Sequence, residues 1–321
     1  MRNIAWLFVF WGAALFSGAP LAQQTFPSKL VRIIVPVAPG GGQDIFARLV
    51  GKKLGEKWSR GVAVENKPGG GTIIATEYLA KSPPDGTTIM LCTTVLSVNI
   101  SLIPKLPYDT LKDFAAITLA AMAPNVIVAK TSLSATTLKE LIAYAKANPN
   151  KLNYGYPGTG TASHLAAELF RIDAGIDVVG VPYKGTQPQL AAILGGEIDY
   201  MLDITLSLPY VRAGKLRALA VTSSKRLASL PDIPTVGESG LPGYEAITWF
   251  GFIVPSGTPP EIVDTINREI NAALKTPEVR DRMATQGMVL LGSTPEEFGQ
   301  HIRAEAKKWA RVVREAHIKP E

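Results

Sequence analysis

From residue 30 onward, short apolar runs alternate with stretches whose apolar residues recur every three or four positions, the alternation of an α/β protein with largely parallel sheets. Residues 31–35, 88–92, 125–128, 178–181, 216–221 and 250–254 read as strands. Each is short and apolar, as strands covered on both faces are. Helices are announced by caps. Thr137-Leu-Lys-Glu140 precedes the apolar face of Leu138, Leu141, Ile142 and Ala145, and Thr258-Pro-Pro-Glu261 precedes Ile262, Ile266, Ile270 and Leu274. Thr294-Pro-Glu-Glu297 opens a last helix carrying Phe298, Ile302, Trp309 and Val313. In all three the Thr hydroxyl is expected to accept a first-turn amide while the Glu reaches back to the cap.

Two stretches read as joints: the alanine-rich segment 120–124 and the Pro/Gly-rich run 230–244. Two joints imply two lobes, with the C-terminal helices returning to the first. Ahead of the pattern, Met1-Arg2-Asn3 leads into an apolar run over 4–16 and then Ser17-Gly-Ala-Pro-Leu-Ala22. That apolar core is shorter than the ~20 residues of a membrane span, so 1–22 reads as a secretory signal peptide cleaved after Ala22, with a retained anchor as the alternative. The 321 residues are 46% hydrophobic and 19% charged, which excludes a disordered chain. A single cysteine, Cys92, permits no internal disulfide, and three scattered histidines make no conventional zinc site. The net charge of +6 is spread thinly over this length and gives no nucleic-acid patch.

Candidate chemistry lies where strands end and helices begin. Three such junctions are rich in Gly or Ser/Thr: residues 35–44, residues 66–72 and residues 154–164. Glycine lets backbone amides approach a ligand closely, and a helix N-terminus adds the positive end of its dipole. None ends in Gly-Lys-Ser/Thr, and Gly214-Lys215 is followed by Leu216; Gly158-Thr-Gly160-Thr-Ala-Ser163 lacks the last Gly of a dinucleotide fingerprint. Nucleotides are therefore disfavoured. A small carboxylate held by amides, Thr159, Thr161 and Ser163 fits better. Each loop taken singly is equally a plain tight turn.

Catalytic groups are poorly served. Ser163 and His164 are neighbours without a G-x-S-x-G elbow, and His164 in a first helical turn reads as a capping or pocket-wall residue. Cys92 in an apolar strand reads as buried. His301 and His317 fall on the charged final helix, and 303–314 reads as a solvated face. No enzyme is expected; an exported hydrolase using Ser163 or His164 is the rival.

Read in order, several motifs resemble the Bug-type extracytoplasmic solute receptors of tripartite tricarboxylate transporters. They are Pro39-Gly-Gly-Gly-Gln-Asp-Ile-Phe-Ala-Arg48, Glu65-Asn-Lys-Pro-Gly-Gly-Gly71, Pro84-Asp-Gly86, Leu106-Pro-Tyr-Asp109 with Asp113-Phe114, Ser163-His-Leu-Ala-Ala-Glu168, Val181-Pro-Tyr-Lys-Gly185, Gly214 to Val221, Leu230 to Thr235, and Trp249-Phe-Gly with Pro255 to Pro259. The resemblance implies a periplasmic-binding-protein type II fold: two α/β lobes, 23–123 plus 244–321 and 124–243, around a central ligand cleft. It implies a periplasmic, monomeric protein without metal or cofactor that captures a small carboxylate. The partners implied are the membrane permease subunits of a tripartite transporter, with a sensor kinase as the alternative output.

Carried over by position, the first-lobe contacts are Ala38, Gly40, Gly41 and Asp44, with Asp44 capping the helix and shaping the loop. Gly70 and Thr72 line the floor, with Thr94 beside them. Thr159, Thr161, Ala162, Ser163 and His164 close over the ligand from the second lobe, Tyr183 stands on the wall, and Asp203 faces a ligand amine, hydroxyl or water. The chain departs from the family pattern at Val37, where an aromatic residue is usual. It departs again at Thr72 and Ala75, where glycine is usual, and at Ile73, often Asn. These changes make that side bulkier and less polar, so aspartate, glutamate and citrate are not carried over, and an aromatic or otherwise less polar carboxylate stays open.

Overall fold

The computed structural model describes residues 26–204 and 206–320; the predicted signal segment lies outside the described residues. The strands are β1 (Val31–Val35), β2 (Val62–Asn66), β3 (Thr88–Thr93), β4 (Phe114–Pro124), β5 (Val126–Lys130), β6 (Asn153–Tyr156), β7 (Val179–Pro182), β8 (Tyr200–Asp203), β9 (Leu216–Val221), β10 (Ile247–Pro255) and β11 (Val289–Leu290). The helices are α1 (Gly42–Gly55), α2 (Ile73–Ala80), α3 (Thr94–Leu102), α4 (Leu138–Ala147), α5 (Ala162–Ala174), α6 (Thr186–Leu194), α7 (Leu208–Arg212), α8 (Pro260–Leu274), α9 (Pro277–Ala284) and α10 (Pro295–Glu315). No described helix is long and apolar enough to cross a membrane.

Two sheets form, ordered β11-β4-β10-β3-β1-β2 and β7-β6-β8-β5-β9, and each is the centre of one α/β lobe. Both are mixed, which corrects the expectation of largely parallel sheets. β1 runs parallel to β2 and β3, and β6 to β7 and β8. β10, however, enters antiparallel between β3 and β4, and β5 lies antiparallel between β8 and β9. The apolar character of a strand reports its burial and not its direction. The alanine-rich segment read as a joint is the end of β4, because small side chains pack a strand whose residues 117–121 are all buried. β2, β6 and β8 escaped the sequence reading because β2 is only half-buried along its length and β6 and β8 are four residues each with polar ends.

The capping boxes at Thr137 and Thr294 form as expected. The one at Thr258 does not. Helix α8 begins at Pro260 with Pro259 as its cap, so Glu261 sits one residue too early, and the Thr258 hydroxyl donates instead to the Pro255 carbonyl (2.7 Å).

The chain crosses between lobes after β4 and returns before β10. The crossings are stitched together: Asn125 N–H donates to Thr222 Oγ1 (2.8 Å), Thr222 N–H to the Asn125 carbonyl (2.9 Å), and Ala246 N–H to the Thr222 carbonyl (3.0 Å). Helix α10 makes a third link. Its Phe298 and Ile302 pack with Trp249 and Ile253 of the first lobe, whereas Trp309, Val312 and Val313 join the core around Leu165 and Phe170 of the second. Each such buried side chain contributes ~1.5–3 kcal/mol, so residues 303–314 are a structural strut with one exposed face, more than the solvated face expected. Glu305 Oε2 accepts both the Trp249 and Trp309 indole N–H groups (3.1 and 2.7 Å) at the middle of this strut. His317 lies beyond the helix end.

Candidate functional site: the interlobe cleft

A cleft of about 450 Å³ opens between the two sheets at the N-termini of α1, α5 and α6, a volume in the range of small-molecule sites. On the first-lobe side it meets Gly42 and Gln43 of α1, Thr248 and Phe250 of β10, and Gln286 and Met288 from the turn after α9. On the second-lobe side it meets Thr161, Ala162 and Ser163 at the start of α5, Gly185 and Thr186 at the start of α6, and Asp203 and Ile204 at the end of β8.

Asp44 does not cap α1, whose N-cap Gly41 has no side-chain cap hydrogen bond, but it builds the first loop. Its buried carboxylate accepts from Gly40 N–H (2.9 Å), Asn66 Nδ2 (2.9 Å) and Arg48 Nε (3.0 Å), while Asn66 Nδ2 also reaches the Val37 carbonyl (3.0 Å). The Arg48 hydrogen bond, with the Gly40 amide and Asn66, outweighs burial and holds the carboxyl at about 2. Gly40 needs its glycine for a φ of 94°. Gly41, the N-cap of α1, has an ordinary φ of −80°, and a Cβ added there meets nothing within 4 Å. The first-turn amides of α1 have no carbonyl partners within the helix and sit where Gly42 and Gln43 line the cleft. Ala38 lies on the exposed lead-in to this turn, and Ala38, Gly40, Gly41 and Asp44 border the mouth without being among the residues that line the cleft.

The third loop supplies the opposing wall. Thr161 Oγ1 accepts from His164 N–H (3.3 Å) and donates to the Gly158 carbonyl (2.8 Å), fixing the start of α5. Ser163 Oγ donates to Asn125 Oδ1 (3.0 Å), so a cleft hydroxyl is tied to the first crossing strand. Asp203 is buried; its Oδ2 accepts from Ser207 N–H (2.7 Å) and Oγ (2.9 Å). Burial pushes its pKa up against those hydrogen bonds.

Other residues expected at the site stand apart from the cleft. His164 is buried, with Nδ1 accepting from Gly160 N–H (3.1 Å) and its ring stacked 4.0 Å from Tyr156. With Thr159 it faces a separate cavity of about 340 Å³ that residues 316–319 also line. Tyr183 packs with the second-lobe core around Leu190 and Met201. Gly70 and Thr72 belong to a left-handed turn (φ 56° and 78°) held by Asn99 Nδ2 on the Gly71 carbonyl (2.9 Å). Thr94 Oγ1 accepts from Trp249 N–H (3.1 Å) and so fastens α3 to β10.

The lining residues that the sequence reading did not name as contacts include Gly42, Gln43, Thr186, Ile204, Thr248, Phe250, Gln286 and Met288. Thr248 carried a signal: it is the one hydroxyl in β10, a strand buried along its whole length. Gln286 and Met288 carried none, since only the return of the chain brings them to the cleft. Among the described lining residues there is no Lys, Arg or His.

The family model described as tripartite tricarboxylate transporter family receptor matches residues 46–318. Protein BugT of Bordetella pertussis is 36% identical over 304 residues, which is 94% of this chain and 93% of the relative. Among solved structures, an R. palustris protein with adipate shares 34% identity at a TM-score of 0.77, covering 92% of this chain and 100% of that one. MatC from Rhodopseudomonas palustris with bound malate shares 32% identity at a TM-score of 0.73, covering 90% and 100%.

Proposed function

Since the chain belongs to the tripartite tricarboxylate transporter receptor family, we propose that it is an exported periplasmic solute receptor whose two lobes close on a small carboxylate and present it to the membrane subunits of a transporter. The observation that carries this reading is the interlobe cleft: three helix N-termini, those of α1, α5 and α6, face it, and no cationic side chain is found among its described lining residues. A carboxylate there is held by backbone amides and neutral hydroxyls, which suits anion capture at helix ends. Relatives with adipate and with malate support the carboxylate class.

Lobe 1 is 23–123 plus 244–321 and lobe 2 is 124–243, so Asn125 and Thr222 lie at the hinge. The ligand shifts the closed state by its extra affinity for it. Ala38, Gly40, Gly41 and the Asp44-built turn hold the carboxylate, and Thr161, Ala162 and Ser163 cover it on closure. Gly70, Thr72, Thr94, Thr159, His164 and Tyr183 act on this reading as support for the loops rather than as contacts. The protein acts as a monomer and turns nothing over.

Isothermal titration against mono-, di- and tricarboxylates tests this. At least one is expected to bind near micromolar affinity, about −8 kcal/mol, and a folded protein that binds none overturns the reading. Replacing Gly41 with Phe fills the open face of the turn; affinity is expected to fall at least about tenfold with the melting temperature unchanged, and unaltered affinity removes this turn from the site.

A further inference from the structure

Two polar atoms in the cleft stand out. Gln43 Oε1 and Thr248 Oγ1 are buried and have no hydrogen-bond partner among the described residues, and both residues line the same cleft from the first-lobe side. Thr248 is 8% exposed. A buried polar group left unpaired destabilises a fold, and here two converge on one face of a ligand site, next to the apolar Phe250 and Met288. Gln43 follows the first glycine turn in the first turn of α1, and Thr248 stands on β10, outside the glycine turns.

We infer that, within the receptor reading above, Gln43 and Thr248 read a neutral hydroxyl group that the ligand carries besides its carboxylate, so the solute is a hydroxylated monocarboxylate with an apolar body. A hydroxyl is the group that completes both partners at once. It donates to the amide oxygen of Gln43 and accepts from the Thr248 hydroxyl. A second carboxylate has no proton to give the amide oxygen and meets the pair only with the Gln43 amide turned over, and it brings a second charge into a described lining that holds no Lys, Arg or His. An ammonium needs a free carboxylate beside it. Asp203, the acidic side chain on the wall, is engaged by the Ser207 amide and hydroxyl and by the backbone amides of Ile204 and Leu206. Phe250 and Met288 meanwhile favour an apolar stretch in the ligand.

The test is titration of the full mature protein with two matched sets: hexanoate, 6-hydroxyhexanoate, 6-aminohexanoate and adipate; and benzoate with 4-hydroxybenzoate. In the set that fits the cleft, the hydroxylated member is expected to bind at least about tenfold more tightly than its deoxy, amino or carboxylated counterparts. Thr248→Val is expected to abolish that preference while the melting temperature of the ligand-free protein holds or rises, because an unpaired buried hydroxyl is replaced by a methyl. Gln43→Met is expected to weaken the preference independently. Carboxylates that bind without any preference for the hydroxyl, or that favour adipate or the amine, overturn this inference and leave the receptor reading standing. A preference that survives Thr248→Val also overturns it. No binding by any carboxylate overturns both.

Discussion

The turn that presents the α1 N-terminus rests on one carboxylate, and replacing Asp44 with Asn tests how much. Asp44 accepts from the Gly40 amide, Asn66 and Arg48, and these hold its carboxyl at about 2 against an ordinary 3.8. A displacement of roughly two units is worth about 2.5 kcal/mol. The Arg48 side chain is 49% exposed, and solvent screening of so open a guanidinium brings the expected contribution to about 1–2 kcal/mol. The sign follows from the direction of the shift. A carboxyl held below its unfolded value adds stability that is complete above about pH 4, is lost as the pH falls toward about 2, and is gone below that. Urea unfolding of the parent and of Asp44→Asn at pH 7, 5, 3 and 2 should show the variant less stable by that amount at pH 7 and 5, with the gap closing at pH 2. Other carboxylates titrate in both proteins and cancel in the difference. An equal gap at pH 7 and pH 2, or none at pH 7, refutes the assignment of the turn's stability to this charge.

A Cβ on Gly251 would fall into the ring of Phe298, so Gly251→Ala is expected to cost about 1–3 kcal/mol by overpacking, measured by urea unfolding; a neutral substitution would mean that α10 is free to shift. Glu305→Ala strands two buried indole N–H groups and is expected to lower stability by about 2–4 kcal/mol, followed by tryptophan fluorescence, with a loss under about 0.5 kcal/mol counting against the strut. Cys92 is buried, donates to the Gly251 carbonyl (3.3 Å), and has its pKa pushed far up by burial. Its thiol is expected to ignore a thiol reagent at pH 8 in the native protein and to react fully in denaturant; prompt native reaction would place it at the surface.

What the sequence made legible was what neighbouring residues decide. The Thr137 and Thr294 boxes close within four positions, and β1 and β9 have the bounds that their apolar runs predict. The box at Thr258 failed for an equally local reason, a proline pair that moves the helix start by one residue. Strand direction and the far wall of the cleft were hidden because neither is a local property. β10 becomes antiparallel only because the chain returns from the second lobe into the middle of the first sheet. The same return brings Thr248 opposite the α1 N-terminus. The three glycine loops illustrate the limit: alike in composition, they differ in outcome, since the first and third border the cleft and the second turns its carbonyl to Asn99. A glycine run predicts a tight turn with outward amides; which turns face one another is set by sheet order. Specificity is therefore better sought in the polar atoms that tertiary packing leaves unpaired, Gln43 and Thr248, than in the turns themselves. A turn of backbone amides accepts any carboxylate that reaches it, whereas a buried amide oxygen and a buried hydroxyl lining one cleft favour one kind of group over its isosteres.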